Sequence, residues 1–216
     1  MNAPDTRERL LDAAQKLFVE RGIDATSLRS ITTEAGANLA SVNYHFGSKN
    51  ELIQAVFARH LKPLNQERIR LLNVLEQKSG QTPLPLEAIL EAFFKPAFEM
   101  MKNRKPREFV CLLGRLFTES SELKMIILSQ FQEVQQRFFA ALQRTLPDLP
   151  IEELTWRAHF MIGAMAHTFA VPEKLSIPSS KEIYNTSDEH IMQRLITFAA
   201  AGLRAPVSST SHGAHR

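Results

Sequence analysis

The chain has 216 residues and a mass of 24.5 kDa, enough for one domain, with or without a small additional module. Its hydrophobic content of 44% and charged content of 23% exclude a disordered, collagen-like or purely coiled-coil chain. The single cysteine, Cys111, excludes an internal disulfide and a multi-cysteine metal site, so we expect a cytoplasmic protein. We expect no membrane partner, because the N-terminus lacks a signal-peptide pattern and the longest uncharged apolar stretch, residues 158–172, is too short to span a bilayer.

The net charge of +3, from 26 basic and 23 acidic side chains, is too small to indicate nucleic-acid binding by itself. Residues 1–50 carry six basic and six acidic side chains, so this part of the chain is neutral. Any DNA binding by residues 1–50 would therefore depend on a few well-placed contacts and not on a general positive field.

Glycines and prolines divide the sequence into segments with helical apolar stripes, and no sustained alternation of β-branched residues indicates a strand. We therefore predict an all-α fold. The predicted helices cover residues 6–21, 27–35, 39–45, 48–78, 86–103, 106–119, 121–146, 151–170 and 189–204. Pro63 and Pro96 fall inside two of these helices and should kink or interrupt them.

The predicted helices group into two modules. Residues 1–50 form an N-terminal module, and the helix at 48–78 connects it to a larger helical module at 80–204. The segment 172–188 is longer than the usual loop of a compact domain. The tail, residues 205–216, is rich in serine, glycine and histidine, and we predict that it is disordered.

Two short helices in the N-terminal module predict a helix-turn-helix. Ser27 and Asn38 are good N-cap residues for them, and Gly36 permits the tight bend between them. The second helix can enter the major groove of DNA by its N-terminal residues. On it, Ser41 and Asn43 are expected to read base edges, Leu39 and Ala40 to contact thymine methyls, and Val42 and Phe46 to face the core.

Residues 26–51, TSLRSITTEAGANLASVNYHFGSKNE, resemble the TetR family of bacterial transcriptional repressors. The resemblance extends over about residues 5–60. It depends on Thr26, Ala35, Gly36, Tyr44, His45, Phe46 and Lys49. It implies a DNA-binding set of Thr26, Arg29, Asn38, Leu39, Ala40, Ser41, Asn43, Tyr44, His45 and Lys49. Within this set Thr26, Tyr44, His45 and Lys49 would hold phosphates, whereas Arg29 could instead pair with Asp24 or Glu34, and Asn38 could serve only as a cap. Asn43 departs from the aromatic residue common at its position in the family.

One helix-turn-helix reads only a few base pairs, so we expect a homodimer that presents two of them about one turn of DNA apart, on a palindromic operator of double-stranded DNA. The family resemblance implies that the last two helices pair with those of the partner. The interface residues we predict are Ala158, Ile162, Phe169, Leu195, Phe198, Ala199 and Gly202. The alternative is that these apolar stripes only fill the core of one protomer.

The second module is rich in phenylalanine and methionine, which commonly line pockets for apolar ligands. The predicted pocket residues are Phe94, Phe98, Phe109, Leu113, Leu116, Phe117, Phe131, Phe160, Met161 and Met165. Residues 112–117 and 156–164 resemble the fatty-acid-responsive PsrA-like branch of the family, which implies a long-chain fatty acid or acyl-CoA as the effector. Arg115, Arg157 and His167 would then meet its polar end, unless they are ion-pair or capping residues. An aromatic or other lipophilic effector is the alternative.

Enzyme motifs are missing from the sequence: it has no G-x-S-x-G elbow, no phosphate-binding glycine loop and no H-E-x-x-H. We therefore predict a regulator and not an enzyme, with no metal and no cofactor. A helical adaptor that only keeps the helix-turn-helix shape is the other alternative, and the full set of phosphate-facing residues disfavours it.

Overall fold

The computed structural model describes residues 5–80, 82–101, 125, 127–170 and 187–207. Over these ranges it contains α-helices and one 3-10 turn and no strand, which confirms the all-α prediction. The helices are α1 (Thr6–Arg21), α2 (Leu28–Ala35), α3 (Leu39–Phe46), α4 (Lys49–Ser79), α5 (Leu86–Met101), α6 (Gln132–Thr145), α7 (Ile151–Ala170) and α8 (Asp188–Arg204), and the 3-10 turn is Ser129–Phe131.

Helices α1 to α3 and the start of α4 form the N-terminal module. Apolar residues recur along α1 at helical spacing, and this stripe packs against the other three helices. Its core includes Leu10, Phe18, Ile31, Val42 and Leu52, which are fully buried. Helices α2 and α3 have eight residues each, and an isolated helix of that length is marginal in water. Packing of both against α1, and of α3 against α4, therefore stabilises them.

Side-chain caps fix where three of these helices begin. Ser27 accepts the backbone N–H of Ser30 at 3.1 Å, Asn38 that of Ser41 at 2.9 Å, and Ser48 that of Glu51 at 3.2 Å. Each cap satisfies a helical N–H that has no partner within its own helix. The predicted caps Ser27 and Asn38 are thus confirmed, and Ser48 caps α4 in the same way.

Helix α4 joins the two modules without a break. It has 31 residues and continues through Pro63, as α5 continues through Pro96, so neither proline interrupts its helix, and the kink that was the alternative stays a prediction. A proline removes one backbone hydrogen bond and crowds the preceding turn. Packing offsets this cost in α4, because Leu61 and Leu64, on either side of Pro63, are both buried.

The second module is built around α5, which packs against α4, α6 and α8, while α7 packs against α8. Phe98 of α5 meets Phe169 of α7 edge-on, with ring centroids 5.0 Å apart. The predicted helix at 106–119 and the first residues of that at 121–146 lie outside the described residues, as do residues 171–186 and the tail from residue 208. No described helix combines the length and the apolar character that crossing a membrane requires.

Candidate functional site

The exposed face of α3 is the first candidate surface. Leu39, Ala40, Asn43 and Tyr44 are exposed, Tyr44 to 86%. Val42 and Phe46 are buried beneath them, as predicted. The helix therefore presents apolar, amide and phenolic groups outward from an anchored base.

The turn before α3 is fixed from two directions. Gly36 adopts a left-handed conformation with φ +58°, which ends α2 and which other residues rarely adopt. From α1, the guanidinium of Arg9 donates to the carbonyl oxygen of Ala35 at 3.1 Å. Arg9 thus satisfies a carbonyl at the C-terminal end of α2, a role that the sequence analysis did not assign to it.

Thr26 does not lie on this surface, which corrects the prediction that it holds a phosphate. Its side chain is 1% exposed, and its hydroxyl donates to the carbonyl oxygen of Gly22 at 2.7 Å. Thr26 therefore stabilises the loop between α1 and α2. The threonine of the family motif indicated a polar contact, but the contact is internal.

Three other predicted DNA contacts already have partners within the chain. The Asn38 Oδ1 atom accepts both the backbone N–H and the hydroxyl of Ser41, so Asn38 is a cap and the Ser41 oxygen is left as an acceptor. The half-buried Lys49 donates from Nζ to the carbonyl oxygen of Ile23 at 3.2 Å. An ammonium group has three N–H donors, so Lys49 keeps two for an external group.

Arg29 is exposed on α2 and has no ion pair within the part of the chain that the structure describes. Glu34, one of the partners considered for it, instead binds Lys16, with Nζ and Oε1 2.6 Å apart. That hydrogen bond and charge lower the pKa of the Glu34 carboxyl. His45 is half-buried, and its ring meets that of Tyr44 edge-on at 5.0 Å.

A cavity of about 350 Å³ in the second module is the second candidate site. Side chains of α4, α5, the 3-10 turn, α6 and α7 line it, and most of them are apolar. Three predicted pocket residues, Phe131, Met161 and Met165, lie in this lining. The volume is at the lower end of the range of roughly 300–1,000 Å³ that small-molecule sites occupy.

Three other predicted pocket residues, all of them described, do not line this cavity. Phe94 and Phe98 are buried in the surrounding core, and Phe160 is 62% exposed on the outer face of α7. Helical spacing identifies apolar positions, but it cannot tell a core residue from one that faces a cavity. The remaining residues of the set lie outside the described residues; they are Phe109, Leu113, Leu116 and Phe117.

The predicted dimer-interface residues fall into two groups, one buried or lining the cavity and one at the surface. Phe169, Leu195 and Ala199 are buried within the protomer, and Ala158 and Ile162 line the cavity together with Phe169. These five residues therefore contribute to the core or the cavity of one protomer, and their place at a dimer interface stays a prediction. Phe198, 65% exposed, and Gly202 remain at the surface.

An aromatic patch accompanies these exposed positions. Trp156 and Phe160, one helical turn apart on α7, stack with ring centroids 5.9 Å apart, and both are exposed. Gly163 and Gly202 face open space, since a methyl group added at either position would meet no described residue outside its own turn of helix within 4 Å. Trp156 and Phe160 are thus exposed apolar side chains on α7, and Gly163 and Gly202 leave room for another helix to approach closely.

Arg68 of α4 is a charged residue of the cavity lining that the sequence analysis did not single out. Its side chain is 2% exposed, and burial alone lowers its pKa to about 9. Nε donates to the carbonyl oxygen of Phe93 at 2.8 Å, and the guanidinium lies 4.1 Å from the centroid of the Phe93 ring. A signal was present in the sequence, because Arg68 lies four residues from both Leu64 and Leu72 on the apolar stripe of α4.

Two of the three polar residues proposed for the effector's headgroup lie outside the cavity lining. Arg157 donates to the carbonyl oxygens of Leu203 and Ala205 at 3.1 and 2.6 Å, so it caps the C-terminal end of α8. His167 is exposed and is not in the cavity lining, and Arg115 lies outside the described residues. Across the described ranges, no three metal-ligating side chains converge.

Comparisons with known proteins connect both sites to one family. Residues 10–56 match the model of bacterial regulatory proteins of the tetR family, and residues 91–202 match that of the tetracyclin repressor-like C-terminal domain. The chain is 40% identical over 62 residues to the transcriptional regulator SrpR of Pseudomonas putida, covering 29% of each chain. It is 32% identical over 108 residues to the transcriptional repressor BepR of Brucella suis, covering 50% of this chain and 48% of BepR. The chain thus matches less than half the length of either relative.

A solved structure resembles the whole fold. SmeT, the repressor of the Stenotrophomonas maltophilia multidrug efflux pump SmeDEF, superposes with a TM-score of 0.61 at 22% identity, over 94% of this chain and 89% of SmeT. At that identity the likeness shows the fold alone. The second family match alone spans more than half of the sequence, and the first covers the helix-turn-helix. The chain therefore belongs to the TetR family of bacterial transcriptional regulators.

Proposed function

We propose that the protein is a repressor that binds a palindromic operator as a homodimer through α3 and leaves it when a small hydrophobic molecule occupies the cavity. The observation that carries this proposal is the continuous helix α4, which begins beside α3 and lines the cavity with Leu64 and Arg68. One rigid element thus belongs to both candidate sites.

On DNA, α3 enters the major groove by its N-terminal half. The exposed amide of Asn43 is suited to pair with the N6 and N7 atoms of adenine, and Leu39 and Ala40 with thymine methyls. Tyr44 and Arg29 lie on exposed surface from which they can contact phosphates, which position the protein without reading sequence.

The dimer forms through α7 and α8. Trp156, Phe160 and Phe198 supply an exposed aromatic patch, and Gly163 and Gly202 permit close approach of the partner's helices. Burial of such a patch is a strong driving force for association. BepR and SmeT, both named as repressors, support repression as the direction of control.

The effector acts by binding one conformer of the dimer more tightly than the other. Its differential affinity, typically 1–3 kcal/mol, sets how far operator binding falls. The apolar lining suits the chain of a long-chain fatty acid or acyl-CoA, as the sequence resemblance implies. An aromatic or other lipophilic compound is the second candidate, which the efflux-pump repressor SmeT favours.

Selection of sites from a random pool of double-stranded oligonucleotides tests the proposal. The purified protein should enrich a palindrome with half-sites about one helical turn apart, bound by two chains. Asn43→Ala should change the preferred bases at defined positions, because only that amide is removed. Recovery of no palindrome, or of complexes with a single chain, would contradict the proposed mode of binding.

A further inference from the structure

We propose that the effector is an amphiphile with a free carboxylate, and that this carboxylate pairs with Arg68 inside the cavity. The inference rests on the proposed function in one respect, namely that the cavity is the effector site. It adds the chemical class of the ligand and the residue that selects it.

Arg68 places a positive charge in the lining of the cavity. Arg68 lies on the buried face of α4 between Leu64 and Leu72, and its side chain lines an otherwise mainly apolar cavity. A guanidinium stays protonated under physiological conditions and is costly to remove from water without an opposite charge. The chain therefore places a cation where an apolar residue would be the ordinary choice.

Arg68 has two hydrogen-bond acceptors among the described residues. Nε donates to the carbonyl oxygen of Phe93, and Nη1 makes a long contact of 3.4 Å with Oδ1 of Asn65. The Asn65 amide is held in turn, because its Nδ2 donates to the carbonyl oxygen of Gln130 at 2.8 Å. Both acceptors of Arg68 are neutral, and among the described residues no carboxylate lies within ion-pair distance of Arg68.

The Arg68 guanidinium has N–H donors that remain available for a ligand. Nη2 makes no hydrogen bond to any described residue, and Nη1 has a second N–H. These groups belong to the planar fork that matches the two oxygens of a carboxylate. The Phe93 ring beneath the guanidinium at 4.1 Å keeps that plane in place, so the fork is preorganised.

A free carboxylic acid fits the cavity better than the related alcohol, ester or acyl-CoA. A neutral alcohol or ester would leave the buried charge uncompensated, and a small inorganic anion would leave the apolar lining empty. An acyl-CoA carries no charge at its thioester carbon, and its nucleotide is too large for a cavity of about 350 Å³. A carboxylate with an apolar chain or ring satisfies both parts of the lining.

Calorimetric titration of the full-length protein with matched ligands tests the inference. The ligands are octanoate through tetradecanoate, with the alcohol and methyl ester of each chain length, below their micelle-forming concentrations. The best carboxylate should bind at least about tenfold more tightly than its own alcohol and ester, as one charge-assisted pair requires. Equal affinities within these matched sets would overturn the inference without any variant.

Two variants assign the preference to Arg68. Arg68→Gln should reduce the preference for carboxylate over alcohol to less than about twofold, while operator binding without ligand is retained. Arg70→Gln is the matched control, because Arg70 lies two residues away on the exposed side of α4, paired with Glu67. It should leave the preference unchanged. An Arg68→Gln protein that keeps the preference would place the anion elsewhere and refute the assignment. If that variant does not fold, Arg68→Lys, which keeps the charge but lacks the planar fork, should reduce the preference, and an unchanged preference would refute the assignment.

Operator-release assays distinguish this failure from that of the proposed function. If alcohols and carboxylates of one length release operator DNA equally well, the cavity is the effector site and only the carboxylate inference fails. If no carboxylate, alcohol or neutral aromatic compound binds the protein or releases DNA, the proposed effector site itself is wrong.

Discussion

Replacing Asn38 by alanine separates a structural role from a DNA contact at the start of α3. The Asn38 Oδ1 atom accepts the backbone N–H of Ser41 at 2.9 Å and its hydroxyl at 3.0 Å. Loss of an N-cap of this kind costs about 1 kcal/mol of the free energy of unfolding. Asn38 is exposed, so water replaces the lost acceptor and the cost stays below that of a buried unpaired N–H.

This cost has two measurable consequences. The melting temperature should fall by about 2–4 °C in a chain of this size. Operator affinity should fall by up to about fivefold, because the first turn of α3 frays where it must enter the groove. Urea unfolding and titration of labelled operator DNA measure the two effects.

Two further variants make the Asn38 experiment decisive. Asn38→Ser keeps a capping oxygen and should restore both stability and affinity. Asn43→Ala, on the exposed face of the same helix, should leave stability unchanged while it alters base preference. If Asn38→Ser is fully stable yet binds DNA as weakly as Asn38→Ala, the amide contacts DNA directly and our interpretation of Asn38 as a cap alone is wrong.

Three more predictions follow from the exposed surfaces and ion pairs. Tyr44→Ala should weaken binding to specific and random DNA alike by roughly tenfold without changing stability, because the side chain is exposed; a loss confined to the operator would indicate base reading instead. Phe198→Glu should shift the protein to folded monomers in sedimentation velocity, whereas an unchanged dimer would exclude this face as the interface. The hydrogen bond from Arg204 lowers the pKa of the Glu87 carboxyl from 4.5 to about 2, so the stability advantage over Glu87→Gln should be complete above pH 4.5 and disappear as the pH falls towards 2; an advantage that grows with acid would contradict this sign.

Local signals in the sequence were sufficient for the N-terminal module. Ser27, Asn38 and Ser48 cap their helices because the capping interaction needs only neighbours three residues away. The left-handed Gly36 is equally local. The exposed face of α3 could therefore be predicted nearly residue by residue.

Properties that depend on distant parts of the chain could not be predicted in this way. The hydroxyl of Thr26 faces inward because α1 covers it, and Pro63 stays helical because the packing of its neighbours offsets the lost hydrogen bond. Helical spacing marked Phe169 and Leu195 as apolar but could not assign them to the protomer interior or to a partner. Arg68 was overlooked because its significance comes from the residues that enclose it, not from its own segment.

The uninterrupted course of α4 also limits how the two sites can communicate. At 1.5 Å per residue, its 31 residues extend about 46 Å. In a straight helix of that length, a tilt of about 5° at one end displaces the other end by about 4 Å. On the proposed mechanism a ligand would therefore have no need to unfold or refold any segment, because a small rotation at the cavity end of α4 would become a larger displacement at the end beside α3. In a symmetric dimer, the displacements of the two α3 helices would add or cancel. The angle between the partner chains would therefore affect the loss of operator binding as much as the chemistry of the ligand does.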